Sequence, residues 1–270
     1  MTWCGCPSRK TPEASPETTG VMKKYRVILF DLFGTVALFQ QDKLPLFEWQ
    51  GKTSRSTMGS LRTVVEQKVP EVPFAHFFAT LLDVSRELGE VRTREMREFS
   101  SAHRFEATLV RAGLPDSPHT RDIAEELSLA HMALLAAATD IPPPHVALLN
   151  HAREQYGTAL VSNFDHGPTA RRILLNGGVE EHFQHVVISA EHGWRKPHPR
   201  IFADALAALG AESRDALFVG DSPVDDIIGA KRAGMDMAWV NAAQADLPSG
   251  IPAPDYVVRA IPELQHLLFD

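Results

Sequence analysis

Four polar clusters could carry chemistry, and each follows a short apolar run. Asp31 closes the run Val27-Ile28-Leu29-Phe30 and leads into Leu32-Phe33-Gly34-Thr35. Ser162-Asn163-Phe164-Asp165 follows Thr158-Ala159-Leu160-Val161. Trp194-Arg195-Lys196-Pro197-His198-Pro199 comes after His185-Val186-Val187-Ile188. Gly220-Asp221-Ser222-Pro223-Val224-Asp225-Asp226 comes after Ala216-Leu217-Phe218-Val219. A carboxylate can attack an electrophile, and a hydroxyl and a lysine can hold and neutralise its oxygens. A second group of carboxylates can bind a hard cation. Singly each signal is weak. Asp31 alone serves equally well as a turn residue, and Asp225 and Asp226 suit the first turn of a helix.

The elements that must position these clusters follow from periodicity. A short run apolar on both faces, ended by a turn signal, reads as a buried strand of a parallel sheet. From Ile141 onward strands and helices alternate. The helices are expected over His145 to Tyr156, Gly167 to Leu175, Pro199 to Leu209, Val224 to Ala233 and Ile261 to Phe269. Further strands are expected at Met237 to Val240 and Asp255 to Val258. This alternation predicts an α/β fold, a doubly wound, Rossmann-like parallel sheet with right-handed crossovers. Such sheets gather their chemistry in a crevice at the carboxyl ends of the strands.

Between Phe39 and Thr139 the pattern is different. Helical-period segments run over Met58 to Val69, Phe74 to Leu88, Thr93 to Ala112 and Thr120 to Ala138, with proline and glycine breaks between them. The expected division is a disordered leader at 1–22, a sheet core at 23–37 and 140–270, and an all-helical cap at 38–139. Only the cap can cover a substrate, so Phe39, Trp49, Arg104 and Phe105 are weighed as pocket residues against a place in its core.

Composition excludes several classes. The 270 residues are 44% hydrophobic and 23% charged, with a formal net charge of -7. That balance disfavours a general nucleic-acid binder. No apolar run approaches the roughly 18 residues that span a bilayer. Cys4 and Cys6 are the only cysteines. They read as incidental thiols in a leader rich in Pro, Ser, Thr and Gly, which is expected to be disordered. Met22 is a second possible start. With no disulfide framework and no apolar signal core, a cytoplasmic location is expected. The expected partner is a small molecule, with no nucleic acid and no membrane.

Taken in this order, the four clusters resemble the haloacid dehalogenase-like hydrolase superfamily, most of whose members are phosphatases. The resemblance covers the expected sheet core, and the insert matches the superfamily's first-position cap. It implies that Asp31 is a nucleophile forming an aspartyl-phosphate. It implies that Ser162 and Asn163 bind the phosphoryl oxygens and that Lys196 orients Asp31 and offsets their charge. It implies Mg²⁺ held by Asp31, Asp221 and the backbone carbonyl of Phe33. Asp226, or with less support Asp225, would hold a water ligand or Lys196.

One position departs from the pattern. Phosphatases of the superfamily usually carry an acid–base aspartate two residues after the nucleophile, and here that residue is Phe33. Phenylalanine cannot protonate a leaving group, a contribution worth about 10²–10⁴-fold. His103, His131, His166 and His198 are weighed as substitutes. An aromatic residue at this position also resembles the 2-haloacid dehalogenases, whose halide leaves unprotonated and which need no metal. The retained Asp221 and carboxylate pair favour phosphoryl chemistry over that alternative. Phosphonate cleavage through a cap lysine (Lys52 or Lys68) fits poorly, because Phe33 is not small. A binding or regulatory protein on the same scaffold is the remaining alternative.

Overall fold

The computed structural model describes residues 25–269. The expectations about the leader, with Cys4, Cys6 and Met22, lie outside these residues. The first strand, β1 (Val27–Phe30), is buried at every position. The chain leaves it through a turn whose Gly34 sits at φ 77°, a region closed to most side chains. A two-residue strand, β2 (Leu38–Phe39), leads into the insert. There a hairpin, β3 (Leu46–Trp49) and β4 (Lys52–Arg55), precedes four helices. These are α1 (Met58–Lys68), α2 (Phe74–Glu95), α3 (Ser101–Arg111) and α4 (Pro118–Ala137). Strand β5 (Thr139–Asp140) then pairs antiparallel with β2 and closes the neck.

Strand and helix alternate after the neck. In order come α5 (Pro143–Gln155), β6 (Gly157–Ser162), α6 (Gly167–Asn176) and β7 (His185–Ile188). Next are α7 (Ser189–His192), α8 (Pro199–Ala208), β8 (Ala216–Gly220) and α9 (Ile228–Ala233). Strands β9 (Asp236–Val240) and β10 (Tyr256–Val258) and the closing α10 (Gln265–Leu268) complete the chain. The six core strands form one sheet in the order β10-β9-β8-β1-β6-β7. Every pairing in it is parallel.

Period-two alternation explains why this sheet is apolar on both sides. Ile28 and Phe30 pack into one core cluster with Leu160, Leu217 and Val219. Val27 and Leu29 pack into another with Val161, Phe218 and Phe202. β1 lies between β6 and β8, so successive connections run outward on one side and then cross to the other. That reversal places the crevice of a doubly wound sheet beside the end of β1, at Asp31.

The insert has its own core, built on Leu61, Val65, Phe77, Phe105, Leu109 and Leu127. It is helical in bulk, as expected, but the hairpin β3–β4 was not anticipated. Gln50 and Gly51 both have positive φ, at 49° and 73°, as a two-residue hairpin turn of the twisted type requires. Phe47 points inward and Trp49 is half-buried, while Leu46 and Glu48 are exposed. This short alternation was readable and was missed. The expected break near Leu88 is also displaced. Gly89 stays inside α2, which runs on to Glu95 and ends where Met96 adopts φ 53°.

Candidate active site

The end of β1 and the turns after β6 and β8 converge. Asp31 is 7% exposed and its backbone N–H donates to the Val219 carbonyl of β8 (2.8 Å). Lys196 is 2% exposed and its Nζ donates to Asp31 Oδ1 at 2.6 Å. The same Nζ lies 2.7 Å from Asp226 Oδ1. Lys196 is thus a buried cation between two buried carboxylates, the one arrangement in which such charges are tolerated.

Each partner is held by its own segment. Asn163 grips the Lys196 backbone from both sides: its Oδ1 accepts from the Lys196 N–H at 2.7 Å and its Nδ2 donates to the Lys196 carbonyl at 3.0 Å. The side chain expected to bind phosphate is therefore committed to positioning the lysine. Asp226 is carried by a π-helical turn, Pro223–Ile227, that precedes α9. Such single turns re-aim side chains and are frequent at functional sites. Its Oδ2 accepts from the Ser222 N–H at 2.9 Å. Both Asp226 oxygens are thereby engaged, one by Lys196 and one by backbone.

Glycines make room for this packing. A Cβ at Gly34 would lie 2.2 Å from Asp221 Oδ2, and a Cβ at Gly220 would lie 2.4 Å from Asp226 Oδ2. Both separations are far inside van der Waals contact, so no larger residue fits without moving a carboxylate. Trp239 Nε1 donates to the Asp221 carbonyl at 2.9 Å and fixes the backbone of that turn.

The electrostatics follow from burial. Burial pushes the Asp31 carboxyl up to about 8; Lys196 opposes this and the nearby Asp226 and Asp221 reinforce it. Burial, with Asp226, pushes Asp221 up to about 6. Burial alone would discharge Lys196, but Asp226 and Asp31 outweigh it and raise its pKa. Burial also raises Asp225, against the pull of Arg195 and Lys196. The crevice is short of positive charge. Ligand oxygens of Asp31, Asp221 and Asp226 all lie within 4.8 Å of one another. An all-oxygen donor set with surplus negative charge fits a hard divalent cation such as Mg²⁺.

The other expected residues divide. Ser162 is 1% exposed at the end of β6, one strand over from Asp31. Asp225 lies beside Arg195 and Asn163. It lines a cavity of about 350 Å³ with Lys196, Arg195, Arg92 and Met96. Phe33 packs its ring on Phe164, centroids 4.8 Å apart, so an apolar contact occupies the place where an acid was looked for. Four histidines were weighed as replacements, and all are engaged elsewhere. His166 and His198 cap α6 and α8 through Nδ1, and His103 stacks on Phe99. His131 is hydrogen-bonded to Thr57 (2.8 Å), and burial, then Arg104, lowers it to about 4.

Of the expected pocket residues, Trp49 and Phe105 belong instead to the core of the insert. Phe39 is 43% exposed and lines a cavity of about 600 Å³ with Gly34, Asp221 and Trp239. Arg104 reaches the turn after β6, 3.6 Å from Asp165. Lys52 is exposed on the hairpin, and Lys68 pairs with Glu126 on the surface. Sequence reasoning missed Arg92, Glu98 and Ser189.

The chain is similar to known proteins over most of its length. A family model described as haloacid dehalogenase-like hydrolase matches residues 25–234. A glyceraldehyde 3-phosphate phosphatase from Pyrococcus furiosus is 28% identical over 251 residues, covering 92% of this chain and 94% of that one. A phosphoserine phosphatase from Thermus thermophilus is 32% identical over 137 residues, 51% of this chain and 55% of its own. Among solved structures, a 2-haloacid dehalogenase from Pseudomonas syringae superposes with a TM-score of 0.70 at 22% identity, covering 90% of this chain and 98% of that one. At that identity the likeness concerns the fold alone.

Proposed function

The chain belongs to the haloacid dehalogenase-like hydrolases, and we propose that it is a Mg²⁺-dependent phosphohydrolase acting on a small phosphorylated metabolite. The relatives named as phosphatases support this reading. The observation that carries it is the convergence of Asp31, Asp221 and Asp226 beside Lys196. A carboxylate substrate entering alone would meet uncompensated like charge there, whereas a phosphoryl group accompanied by a divalent cation would not.

Asp31, Asp221 and the Phe33 carbonyl would hold the cation, which supplies positive charge shared between the nucleophile and the phosphoryl oxygens. Asp31 attacks phosphorus, the bond to the leaving oxygen breaks, and an aspartyl-phosphate forms. Water then attacks phosphorus and releases inorganic phosphate, restoring Asp31. Lys196 holds the Asp31 carboxylate and faces the developing negative charge. Ser162 and the Asn163 turn bind the phosphoryl oxygens, while Asp226 fixes Lys196 and Asp225 supports the same loop. The insert acts as the cap that selects the substrate.

Phe33 leaves alcohol leaving groups without a proton donor at the usual place, so turnover is expected to be fastest with leaving groups that need little protonation. Hydrolysis of p-nitrophenyl phosphate with Mg²⁺ tests the reading. Activity that disappears in EDTA and in Asp31→Asn supports it, and activity unchanged by both contradicts it. The contact of Phe33 with Phe164 favours a second reading, a 2-haloacid dehalogenase in which Asp31 displaces halide through an ester. Inactivity in both chemistries would favour a binding or regulatory protein.

A further inference from the structure

The α2–α3 connection leaves the body of the insert and lies across the core. Three backbone hydrogen bonds attach it there. The Arg195 N–H donates to the Met96 carbonyl (3.0 Å), the Glu98 N–H to the Gly193 carbonyl (3.1 Å), and the Ser101 N–H to the Asp165 carbonyl (2.8 Å). Arg97 and Trp194 form an antiparallel bridge, with the Arg97 guanidinium 4.6 Å from the Trp194 ring. Two of the hydrogen bonds and the bridge fall on the segment that leads into Lys196, and the third hydrogen bond falls on the loop that follows Ser162 and carries Asn163.

Glu98 lies at the centre of this attachment. Its side chain is 2% exposed. Its Oε2 accepts from the Ser189 hydroxyl at 2.7 Å, and its Oε1 lies 2.7 Å from Arg92 Nε. Arg195 is 3.8 Å from Oε2. Ser189 Oγ in turn accepts from the Phe164 N–H at 2.9 Å. One buried carboxylate of the insert therefore connects α2, the loop after β6, and the residue next to Lys196. A carboxylate so deeply buried is tolerated because it is fully paired, and unpairing it is costly.

We infer that residues 96–101 are a positioning strap that seats the Lys196 loop against the loop after β6, with Glu98 as its buried anchor. Asn163 holds the Lys196 backbone from the core side, and the strap holds Gly193 and Arg195 from the insert side. The insert cannot swing away without withdrawing Glu98 from Ser189 and freeing the segment that delivers Lys196 to Asp31. Seating of the insert and placement of the catalytic lysine are then one event. Glu98 is a positioning residue, and it touches neither the substrate nor the cation. The kinetic half of this inference rests on the proposed phosphohydrolase activity; the structural half does not.

The test compares full-length wild type with Glu98→Ala, Glu98→Gln and Ser189→Ala, and uses Arg111→Ala as a control from a surface pair. Hydrogen exchange is followed in peptides covering 96–101 and 193–197, alongside kcat and KM on p-nitrophenyl phosphate with Mg²⁺. Glu98→Ala is expected to speed exchange in both peptides and to lower kcat by up to about 10²-fold, with KM within about twofold, as displaced catalytic geometry predicts. Glu98→Gln should recover part of kcat, since its carbonyl still accepts from Ser189. Ser189→Ala, a milder change, should move both readouts in the same direction and serves if Glu98→Ala does not fold. Unchanged exchange, or faster exchange with unchanged kcat, overturns the inference. A wild type inactive on p-nitrophenyl phosphate overturns the phosphohydrolase reading instead, and the exchange data then decide the strap alone.

Discussion

Lys196 and Arg92 are both cations set between two carboxylates, yet they are built differently. Lys196 sits 2.6 Å from Asp31 and 2.7 Å from Asp226, and its partners come from the ends of two adjacent strands. Arg92 sits 2.7 Å from Glu98 but 3.5 Å from Asp165, and its side chain keeps 16% exposure. The two carboxylates of the lysine site follow strands that a parallel sheet must place side by side. The arginine site joins the insert to the core, so its geometry depends on how the two meet. The difference separates carboxylates set in place by the sheet from a contact that can report the position of the insert.

Breaking the two sites in parallel gives the largest expected effects. Lys196→Met leaves Asp31 and Asp226 facing each other without a cation. It is expected to abolish turnover and to lower unfolding free energy by about 3–5 kcal/mol, as loss of one partner of a buried pair does. Arg92→Met should cost about 2 kcal/mol in the same denaturant titration, because its pair with Asp165 is looser and its side chain is partly wet. Equal losses would remove the distinction drawn between them.

A smaller change to the sheet-end site tests its packing. Gly220→Ala places a methyl group where Asp226 Oδ2 lies, 2.4 Å away. Displacing Asp226 should loosen Lys196 and reduce kcat by about 10²-fold, with a far smaller effect on melting temperature. An active, Mg²⁺-responsive Gly220→Ala protein would show that Asp226 does not set the lysine.

The insert should show its own response to acid. Burial lowers His131 to about 4, against an ordinary value of 6.5. The unfolded chain binds this proton more readily, so stability rises with pH between about 4 and 6.5. The contribution is complete above pH 6.5 and is lost as pH falls toward 4, by on the order of 3 kcal/mol. Replacing His131 with Gln should flatten that part of the pH–stability profile. At the other extreme, the exposed pair Arg111–Glu87 lies on the surface of the insert. Arg111→Ala should leave both melting temperature and turnover unchanged within error.

The same division explains what could be read from the sequence. Val27–Phe30, Gly157–Ser162 and Ala216–Gly220 are almost continuously buried, so each appears as an apolar run, and each is followed by its polar cluster. Topology does the rest, which is why Asp31, Lys196 and Asp226 could be expected to meet. The strap left no such trace. Arg92 and Glu98 sit among polar residues of a segment with helical period, where a charge ordinarily reads as a solvated face, and Ser189 merely follows the apolar strand β7. Nothing local reveals that Met96 turns the chain back onto Gly193 and Arg195. The loss of the usual acid was legible at Phe33, but its packing against Phe164, 131 residues later in the chain, was not.

Product analysis in which metal is the variable tests the central claim most directly. Phosphate release from p-nitrophenyl phosphate and chloride release from 2-chloropropionate are measured on one preparation, with Mg²⁺ and then with EDTA. The carboxylate cluster at the sheet ends predicts phosphate release with Mg²⁺, none in EDTA, and no chloride in either. Chloride release that persists in EDTA, without phosphate release, would contradict it.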